Sequence, residues 1–274
     1  MTTPDRLLVG FLLLALAGCA SQKSSDGAPR SGSAIPPDLP SDPVPHKEPR
    51  SRYGNGPNYE VFGTQYTVMP SSYGYQERGV ASWYGTGFHG KPTSSMEPYD
   101  MHAMTAAHKT LPLPSFVKVR NLKNNKTIVV RVNDRGPFVD NRIIDLSYSA
   151  ALKLDMIKDG TSLVEVTAIS FDKPPWPQQT TRSVGNTAGQ NAPQKSANRI
   201  FVQVGAFGDK NNAGRRLSLL LEHGISTAFV HEESGRSPAL YRVRIGPIAG
   251  VDQYDLVVTQ LQRIGISESH LITE

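Results

Sequence analysis

The sequence is poor in cysteine, with one such residue in 274. A single thiol cannot close a disulfide within the chain, and it cannot supply a zinc site built from several cysteines. The sequence also lacks the spacings of a Ser-His-Asp triad and of a metal-ligand cluster. We therefore expect chemistry that needs neither a metal nor another cofactor.

A long apolar run is also missing near the N-terminus, where the run from Leu7 to Ala17 covers only 11 residues. About 20 apolar residues are needed to span a bilayer, so this run fits a secretory signal peptide over residues 1–18 instead. The Leu-Ala-Gly-Cys that ends at Cys19 resembles the bacterial lipobox, whose cysteine is lipidated and becomes the mature N-terminus. An ordinary signal peptide that happens to end in cysteine is the alternative. Ala20 replaces the aspartate of inner-membrane retention, so the resemblance implies a lipid anchor in the inner leaflet of the outer membrane, facing the periplasm.

Runs of basic residues are missing as well, although the formal net charge is +5 and the pI is about 9.3. Residues 80–170 hold 11 Lys and Arg against 8 Asp and Glu, and residues 199–274 hold 8 of each. A partner rich in phosphates requires a concentrated basic patch. The charge distribution and the export signal therefore argue against a nucleic-acid partner, despite an RRM-like order of elements in the C-terminal region.

Two segments have the composition of linkers. Residues 19–57 contain eight prolines from Pro29 onward and almost no apolar periodicity, which predicts a disordered tether. Residues 58–79 are rich in aromatics and are expected to pack as an irregular arm on the domain that follows. Residues 172–198 open with Pro-Pro-Trp-Pro and predict a second linker.

The region between the linkers, residues 80–171, shows short β-strands. Apolar and β-branched residues recur with period two, or as short runs, in residues 116–120, 127–132 and 161–169. Ser147 can cap one short helix, which ends before Asp159-Gly160. Several short strands with one helix in about 90 residues predict a small, mainly β barrel.

The C-terminal region, residues 199–274, repeats one pattern twice. In each half a strand leads into a helix and a further strand, with the first strands at residues 200–207 and 241–247 and the helices at residues 211–223 and 252–263. Two such halves predict a compact α+β domain, with its helices on one face of a sheet and the other face open.

Three polar clusters stand out in the barrel, at residues 81–90, 97–108 and 132–147. They include Ser82-Trp83-Tyr84-Gly85, Glu97-Pro98-Tyr99-Asp100 and Asn133-Asp134-Arg135-Gly136-Pro137. These runs, in this order, resemble those of the rare lipoprotein A family, septal-ring lytic transglycosylases with a double-psi β-barrel. The runs at residues 202–207 and 242–247 resemble those of a SPOR (sporulation-related repeat) domain.

The resemblance implies cleavage of the bond between N-acetylmuramic acid and N-acetylglucosamine in peptidoglycan. The muramyl 6-hydroxyl closes onto C1 and leaves a 1,6-anhydro end. This reaction needs a proton for the leaving oxygen and then a base for the 6-hydroxyl. One carboxyl can serve as both in turn, because no separate base has to activate water.

The resemblance assigns the catalytic residues to Asp134, Glu97 and His108. We expect Asp134 to be the general acid and base, because the turn after a strand can present its carboxyl to a groove. Glu97 would stabilise oxocarbenium charge or keep Asp134 protonated by like-charge repulsion. His108 would orient one of the carboxyls by a hydrogen bond, and Trp83 and Tyr84 would stack on sugar rings.

Each of these residues also has a structural interpretation. Asp134 could merely accept backbone N–H bonds in its turn, and His108 could be a buried structural histidine. Trp83 and Tyr84 could belong to the core. Asp145, just before the predicted helix, is expected to be a structural or helix-start carboxylate.

One position departs from the family pattern. The residue before Glu97 is commonly glycine in the family and is Met96 in this sequence. If the position needs a positive φ, Met96 would cost about 1 kcal/mol and could misplace Glu97. This departure favours the rival hypothesis, a non-catalytic wall-binding lipoprotein of the septum with the same architecture.

The SPOR resemblance implies binding of glycan strands stripped of their stem peptides, near the division septum. Gln203 and Arg242 alternate with the valines of their strands, so we expect both on the open face of the sheet. Phe201 and Leu240 are candidate apolar platforms on that face, and a merely solvated sheet face is the alternative. Besides peptidoglycan, the expected partners are the membrane, through the lipid on Cys19, and proteins of the division septum.

Overall fold

The computed structural model describes residues 38–139, 141–171, 199–233 and 239–274. The predicted signal peptide, the lipidated Cys19 and the linker at residues 172–198 lie outside these ranges. Within them, no helix combines the length and the apolar character that a membrane span requires.

Residues 38–57 lie along the surface of the barrel. The backbone N–H of Val129 donates to the Asp42 carboxylate at 2.7 Å, and the N–H of Ser51 donates to the carbonyl of Leu113 at 2.9 Å. The prediction of a disordered tether therefore fails for residues 38–57. An extended Pro-rich segment buries little apolar surface, but its polar groups can still pair with the barrel, and composition does not reveal such pairing.

The predicted arm, residues 58–79, contains a hairpin of two antiparallel strands, β1 (Asn58–Val61) and β2 (Thr64–Thr67). The turn between them contains Phe62 and Gly63, both with positive φ. The predicted arm is thus more regular than the sequence indicates. Residues 38–75, which precede the barrel and include this hairpin, are together called the arm from here on.

Six strands form a closed barrel. They are β3 (Gln76–Trp83), β4 (Thr105–His108), β5 (Ser115–Asn121), β6 (Thr127–Asp134), β7 (Arg142–Leu146) and β8 (Ser162–Ile169), in the order β3-β7-β4-β6-β5-β8. The pairs β3–β7 and β4–β6 are parallel, and the other pairs are antiparallel. This arrangement confirms the predicted mainly β barrel.

The barrel interior is filled by the apolar residues of the period-two patterns. Val117 and Val119 of β5, and Val130 and Val132 of β6, are fully buried. The helix α1 (Tyr148–Lys153) begins where predicted, since the Ser147 side chain accepts a hydrogen bond from the N–H of Ala150. Glu97 and Asp134, by contrast, are only half-buried and lie outside this core.

The C-terminal domain also has the predicted α+β architecture. Its elements are β9 (Ile200–Phe207), α2 (Lys210–Glu222), β10 (Ala228–Glu232), β11 (Tyr241–Ile245), α3 (Val251–Arg263) and β12 (His270–Thr273). The sheet has the order β10-β11-β9-β12 with antiparallel neighbours. Both helices pack on the face that carries Val202 and Val204, so Gln203 and its neighbours lie on the other face.

Candidate active site

The candidate active site is built on a row of residues that crosses four neighbouring strands. Ala107 of β4 is the register partner of Asp134 on β6 and of Asp145 on β7, and Asp145 is the partner of Ser82 on β3. Neighbouring strands are about 4.8 Å apart, so the two aspartates are about 10 Å apart at their Cα atoms.

Asp134 is half-buried and is held by one of its carboxyl oxygens. Oδ1 accepts hydrogen bonds from the N–H and the hydroxyl of Ser94, and from the N–H of Arg135, each at 2.7 Å. Three donors on Oδ1 leave no place there for a proton. The proton that an acid must donate therefore belongs on Oδ2.

Ser94 was not among the residues predicted from the sequence. The hydroxyl-rich run Thr93-Ser94-Ser95 before Glu97 was the available signal. Its importance depends on a contact across 40 residues of sequence, because Ser94 reaches Asp134 only when the barrel has closed.

Glu97 lies in a network of hydrogen bonds next to Asp134. The Arg131 guanidinium donates to both carboxylate oxygens, at 2.7 and 3.0 Å, and the side-chain amide of Asn133 donates at 2.8 Å. Partial burial raises the pKa of Glu97, but the bonds from Arg131 and Asn133 outweigh it and leave the pKa lowered. Glu97 is therefore a fixed negative charge at neutral pH.

Arg131 is shared with the arm. Its guanidinium also donates to both oxygens of Glu48, at 2.9 and 2.8 Å. The guanidinium thus joins two carboxylates, one from residues 38–57 and one from the site. Sequence reasoning missed Glu48 because residues 19–57 were assigned to a tether.

Met96 adopts the positive φ that the glycine of the family pattern suggests for this position. Its φ is +69°, and its side chain is 59% exposed. A tight turn imposes this conformation, since the N–H of Met96 donates to the carbonyl of Thr93 and the N–H of Thr93 donates to the carbonyl of Glu97, both at 2.8 Å. Glu97 nevertheless keeps its bonds to Arg131 and Asn133, so the methionine does not displace the carboxylate.

The ring of His108 does not hydrogen-bond Asp134 or Glu97, so the expected orienting bond is wrong. Its Nδ1 accepts from the N–H groups of Thr110 and Leu111, and its Nε2 lies 2.7 Å from the Tyr75 hydroxyl. The ring is only 3% exposed, and burial lowers its pKa from 6.5 to about 3. The ring is therefore neutral, with its proton on Nε2, and it fixes the turn that follows β4.

Arg135 joins this turn to the arm. Its guanidinium donates two hydrogen bonds to the carbonyl of Gly54, at 2.7 and 2.9 Å, and one each to the carbonyls of His108 and Leu111. Through its own backbone N–H, Arg135 also bonds Asp134. Arg135 therefore connects the backbone around His108 to the Asp134 carboxyl.

Asp145 is a second carboxyl beside Asp134. Its Oδ1 accepts a hydrogen bond from the hydroxyl of Ser82. Burial raises the pKa of Asp145, with smaller opposing effects from Ser82, Arg142 and Lys109. Ser147, and not Asp145, caps α1, so Asp145 is not a helix-start carboxylate.

Trp83 and Tyr84 both pack into the protein to a large extent. Trp83 is half-buried and meets Tyr148 edge-on, with ring centroids 5.7 Å apart. The Tyr84 ring lies 4.2 Å from that of Tyr99, and the hydroxyl of Tyr84 is buried next to Thr105. Burial raises the pKa of the Tyr84 hydroxyl, with smaller contributions from the carboxylates of Asp134 and Asp145.

The structure brings Gln203 and Arg242 together on the open face of the C-terminal sheet. Arg242 donates to the side-chain oxygen of Gln203 at 3.4 Å and to the Glu233 carboxylate at 3.0 Å. Leu240 is half-buried and lies just before β11.

Phe201 is only 4% exposed, so the prediction that it forms an exposed apolar platform is wrong. Its ring lies over Gly246, where a Cβ would come within 3.0 Å, and it meets the ring of Phe229 edge-on at 5.6 Å. The missing side chain of Gly246 lets the phenylalanine sink into the sheet surface.

Family models match the two domains separately. One described as lytic transglycolase matches residues 76–166, and one for the SPOR domain matches residues 196–271. The site described above, from Ser82 to Asp145, lies inside the first match.

Several bacterial proteins resemble this chain over most of its length. The endolytic peptidoglycan transglycosylase RlpA of Vibrio cholerae serotype O1 is 37% identical over 268 residues, which cover 96% of this chain and 95% of the relative. The protein of the same name from Neisseria meningitidis serogroup A is 40% identical over 72% of this chain and 75% of its own length. The one from Pseudomonas aeruginosa is 33% identical over 78% of this chain and 75% of its own length.

Proposed function

We propose roles for individual residues of this chain, which belongs to the RlpA family of endolytic peptidoglycan transglycosylases. The chain is a peptidoglycan transglycosylase with a lytic barrel and a SPOR domain. The observation that carries the residue assignment is the pair of acidic side chains, Asp134 and Glu97, held in one site by dedicated donors. The two carboxyls differ in their surroundings, and this difference supports different tasks.

Asp134 is the general acid and base. The proton on Oδ2 passes to the glycosidic oxygen as its bond to C1 of the muramyl residue breaks, and N-acetylglucosamine leaves with a 4-hydroxyl. The Asp134 carboxylate then takes the proton of the muramyl 6-hydroxyl as O6 bonds to C1. Ser94 and the N–H of Arg135 hold Oδ1 throughout, so the same oxygen acts in both steps.

Glu97 stabilises the positive charge that develops at the sugar ring. Its lowered pKa keeps it ionised, which suits a charge stabiliser and not a proton donor. Arg131 offsets part of the negative charge of Glu97. Because Arg131 is also paired with Glu48, the two carboxylates and the guanidinium together keep a net negative charge. His108 positions the site without contacting the substrate.

The SPOR domain binds glycan strands without stem peptides through Gln203 and Arg242, with Leu240 at the edge of this surface. The bond between the two side chains supports a joint surface for sugar hydroxyls. Because both domains are on one chain, binding by the SPOR domain raises the local concentration of glycan at the barrel.

The chain acts at the division septum during separation of daughter cells, together with septal proteins. A lipid on Cys19 anchors it to the inner leaflet of the outer membrane. The support for this anchor is the Leu-Ala-Gly-Cys sequence that ends at Cys19.

The first test uses the soluble chain from residue 20 onward and peptidoglycan stripped by an amidase. Mass spectrometry of the products should show 1,6-anhydromuramyl ends, and Asp134→Asn should abolish them. Ser94→Thr, which keeps the hydroxyl, serves as the folded control.

A non-catalytic wall-binding protein is the alternative that Met96 suggested, but the positive φ of Met96 leaves Glu97 bonded to Arg131 and Asn133. That alternative predicts that the chain pulls down the stripped glycan without creating new ends. In that case Met96→Gly should also fail to release products, because Glu97 is already held in place.

A further inference from the structure

Beside Asp134, the arm and the barrel enclose a groove of about 400 Å³. It is lined by Gly54, Gly56, Tyr59, Val61, Ser94, Arg135 and Phe138. The arm supplies more than half of these residues, and the aromatic rings of Tyr59 and Phe138 form walls. The volume lies within the range of roughly 300 to 1,000 Å³ that is common for ligand sites.

The groove lies close to Asp134, to which Ser94 and Arg135 connect it. Ser94 lines the groove and also donates two hydrogen bonds to Asp134. Arg135, the next residue in the chain, lies beneath the Tyr59 ring, with its guanidinium carbon 5.7 Å from the ring centroid. A molecule in the groove would therefore lie next to the bond that Asp134 protonates.

The aromatic wall is fixed before any ligand binds. The Tyr59 hydroxyl donates to the carbonyl of Lys109 at 2.7 Å, and the Tyr59 ring stacks on Tyr66 with centroids 5.2 Å apart. Phe138 meets both tyrosines, at 6.3 and 5.6 Å. A rigid wall of this kind loses little entropy on binding.

The one charged side chain that lines the groove has its hydrogen bonds already made. Arg135 donates through its guanidinium to the carbonyls of Gly54, His108 and Leu111, so it has little left to hold a carboxylate in place. A stem peptide carries carboxylates, and a muramyl residue stripped of its peptide keeps the carboxylate of its lactyl group. An N-acetylglucosamine ring carries no charge and presents C–H groups on its face, and such a face packs well against an aromatic ring.

We propose that this groove is a sugar subsite, in which Tyr59 and Phe138 hold the pyranose ring adjoining the bond to be cleaved. The inference rests on the proposed function and deepens it, because it makes the arm a part of the glycan site. The arm is then a component of the enzyme as well as a connection to the envelope.

The test compares three variants of the soluble chain on peptide-free glycan. Tyr59→Ala removes the ring and should raise KM about three- to tenfold, as expected for the loss of one aromatic contact. Tyr59→Phe loses only the bond to Lys109 and should stay within about twofold of wild type. Phe62→Ala changes a ring at the hairpin tip that is 91% exposed and does not line the groove, so it is the matched control.

A second measurement does not depend on the stability of Tyr59→Ala. In Asp134→Asn, the NMR signals of the Tyr59 and Phe138 rings should shift when a peptide-free tetrasaccharide is added. The same signals should stay unchanged with free stem peptide.

The proposal is overturned if Tyr59→Ala and wild type have the same KM, if Tyr59→Phe is as impaired as Tyr59→Ala, or if only the stem peptide shifts the ring signals. Failure of the proposed function would look different. In that case wild type forms no anhydromuramyl ends, while the ring signals still respond to the tetrasaccharide.

Discussion

At the scale of single residues, the two acidic side chains of the site are distinguished by their donors. One oxygen of Asp134 accepts three hydrogen bonds, whereas Glu97 accepts hydrogen bonds on both of its carboxylate oxygens. A carboxyl held by one oxygen keeps the other available for proton transfer, and a carboxylate paired through both remains charged. Local donors, more than residue type, therefore support the different roles proposed for the two side chains.

Ser94 should contribute to catalysis through its hydroxyl. Ser94→Ala removes one bond to Asp134 Oδ1 and keeps the backbone bond, so we expect kcat to fall roughly three- to tenfold. Ser94→Thr retains a hydroxyl and should recover most of the rate. Steady-state kinetics on peptide-free glycan measure both, and equal rates for Ser94→Ala and wild type would contradict this role.

The methionine at position 96 is expected to lower the stability of the protein more than its activity. Met96→Gly relieves the positive φ, and after the entropy cost of a flexible glycine we expect the free energy of unfolding to rise by about 0.5 kcal/mol. Met96→Ala keeps the strained backbone and should change the free energy of unfolding by no more than about 0.3 kcal/mol. Urea denaturation compares the variants, and a less stable Met96→Gly would show that the backbone is not strained.

His108 should make stability depend on pH below neutrality. Its pKa is lowered from 6.5 to about 3 in the folded protein, so between these values the unfolded chain binds one more proton. The free energy of unfolding should therefore fall as pH falls through this window, by at most about 1.4 kcal/mol per pH unit from this group.

Comparison with His108→Gln isolates this contribution, because every other titrating group is common to both proteins. Urea denaturation between pH 4 and pH 7 should give a steeper dependence for wild type. Parallel curves, or a His108 ring that titrates near 6.5 by NMR, would contradict the buried neutral state.

At the scale of elements, the arm is joined to the barrel by polar contacts. Glu48 pairs with Arg131, the Gly54 carbonyl accepts from Arg135, and Asn55 bonds the N–H and the carbonyl of Leu113. Each of these contacts ends on a barrel residue within or near the site. The arm therefore braces the site from outside the barrel.

Removal of residues 38–57, the first part of the arm, should destabilise the barrel. A chain that begins at residue 58 leaves Arg131 with one partner and Arg135 without the Gly54 carbonyl. We expect the free energy of unfolding to fall by at least about 2 kcal/mol relative to a chain that begins at residue 38, with a loss of turnover. If thermal unfolding and kinetics are the same for both chains, residues 38–57 are only a connection.

At the scale of the whole molecule, two glycan-binding domains on one chain should favour large substrates. Arg242→Ala should lower the apparent affinity for intact stripped sacculi about tenfold or more and leave cleavage of short soluble oligosaccharides unchanged. Arg215→Ala removes the same charge from the exposed surface of α2 and is the control. A drop on short substrates would mean that Arg242 acts on the barrel itself.

Much of this architecture could be predicted from the sequence, because it depends on local patterns. The alternation in residues 116–120 and 127–132 places valines inside the barrel, and Ser147 caps its helix through a bond three residues away. The motifs around Glu97 and Asp134 also identify the family, since they are contiguous in the chain. Periodicity and motif are properties that a linear sequence carries in full.

Contacts between distant segments were decided only by the tertiary structure. Ser94 bonds Asp134 across 40 residues, and Glu48 reaches Arg131 across 83. The ring of His108 turned away from the carboxyls because backbone N–H groups two and three residues ahead saturate its Nδ1. Phe201 is buried against Gly246, just after β11, where a side chain would collide with its ring. Such pairings depend on where closure of the barrel and the register of the sheet bring the partners, and no local pattern encodes that position.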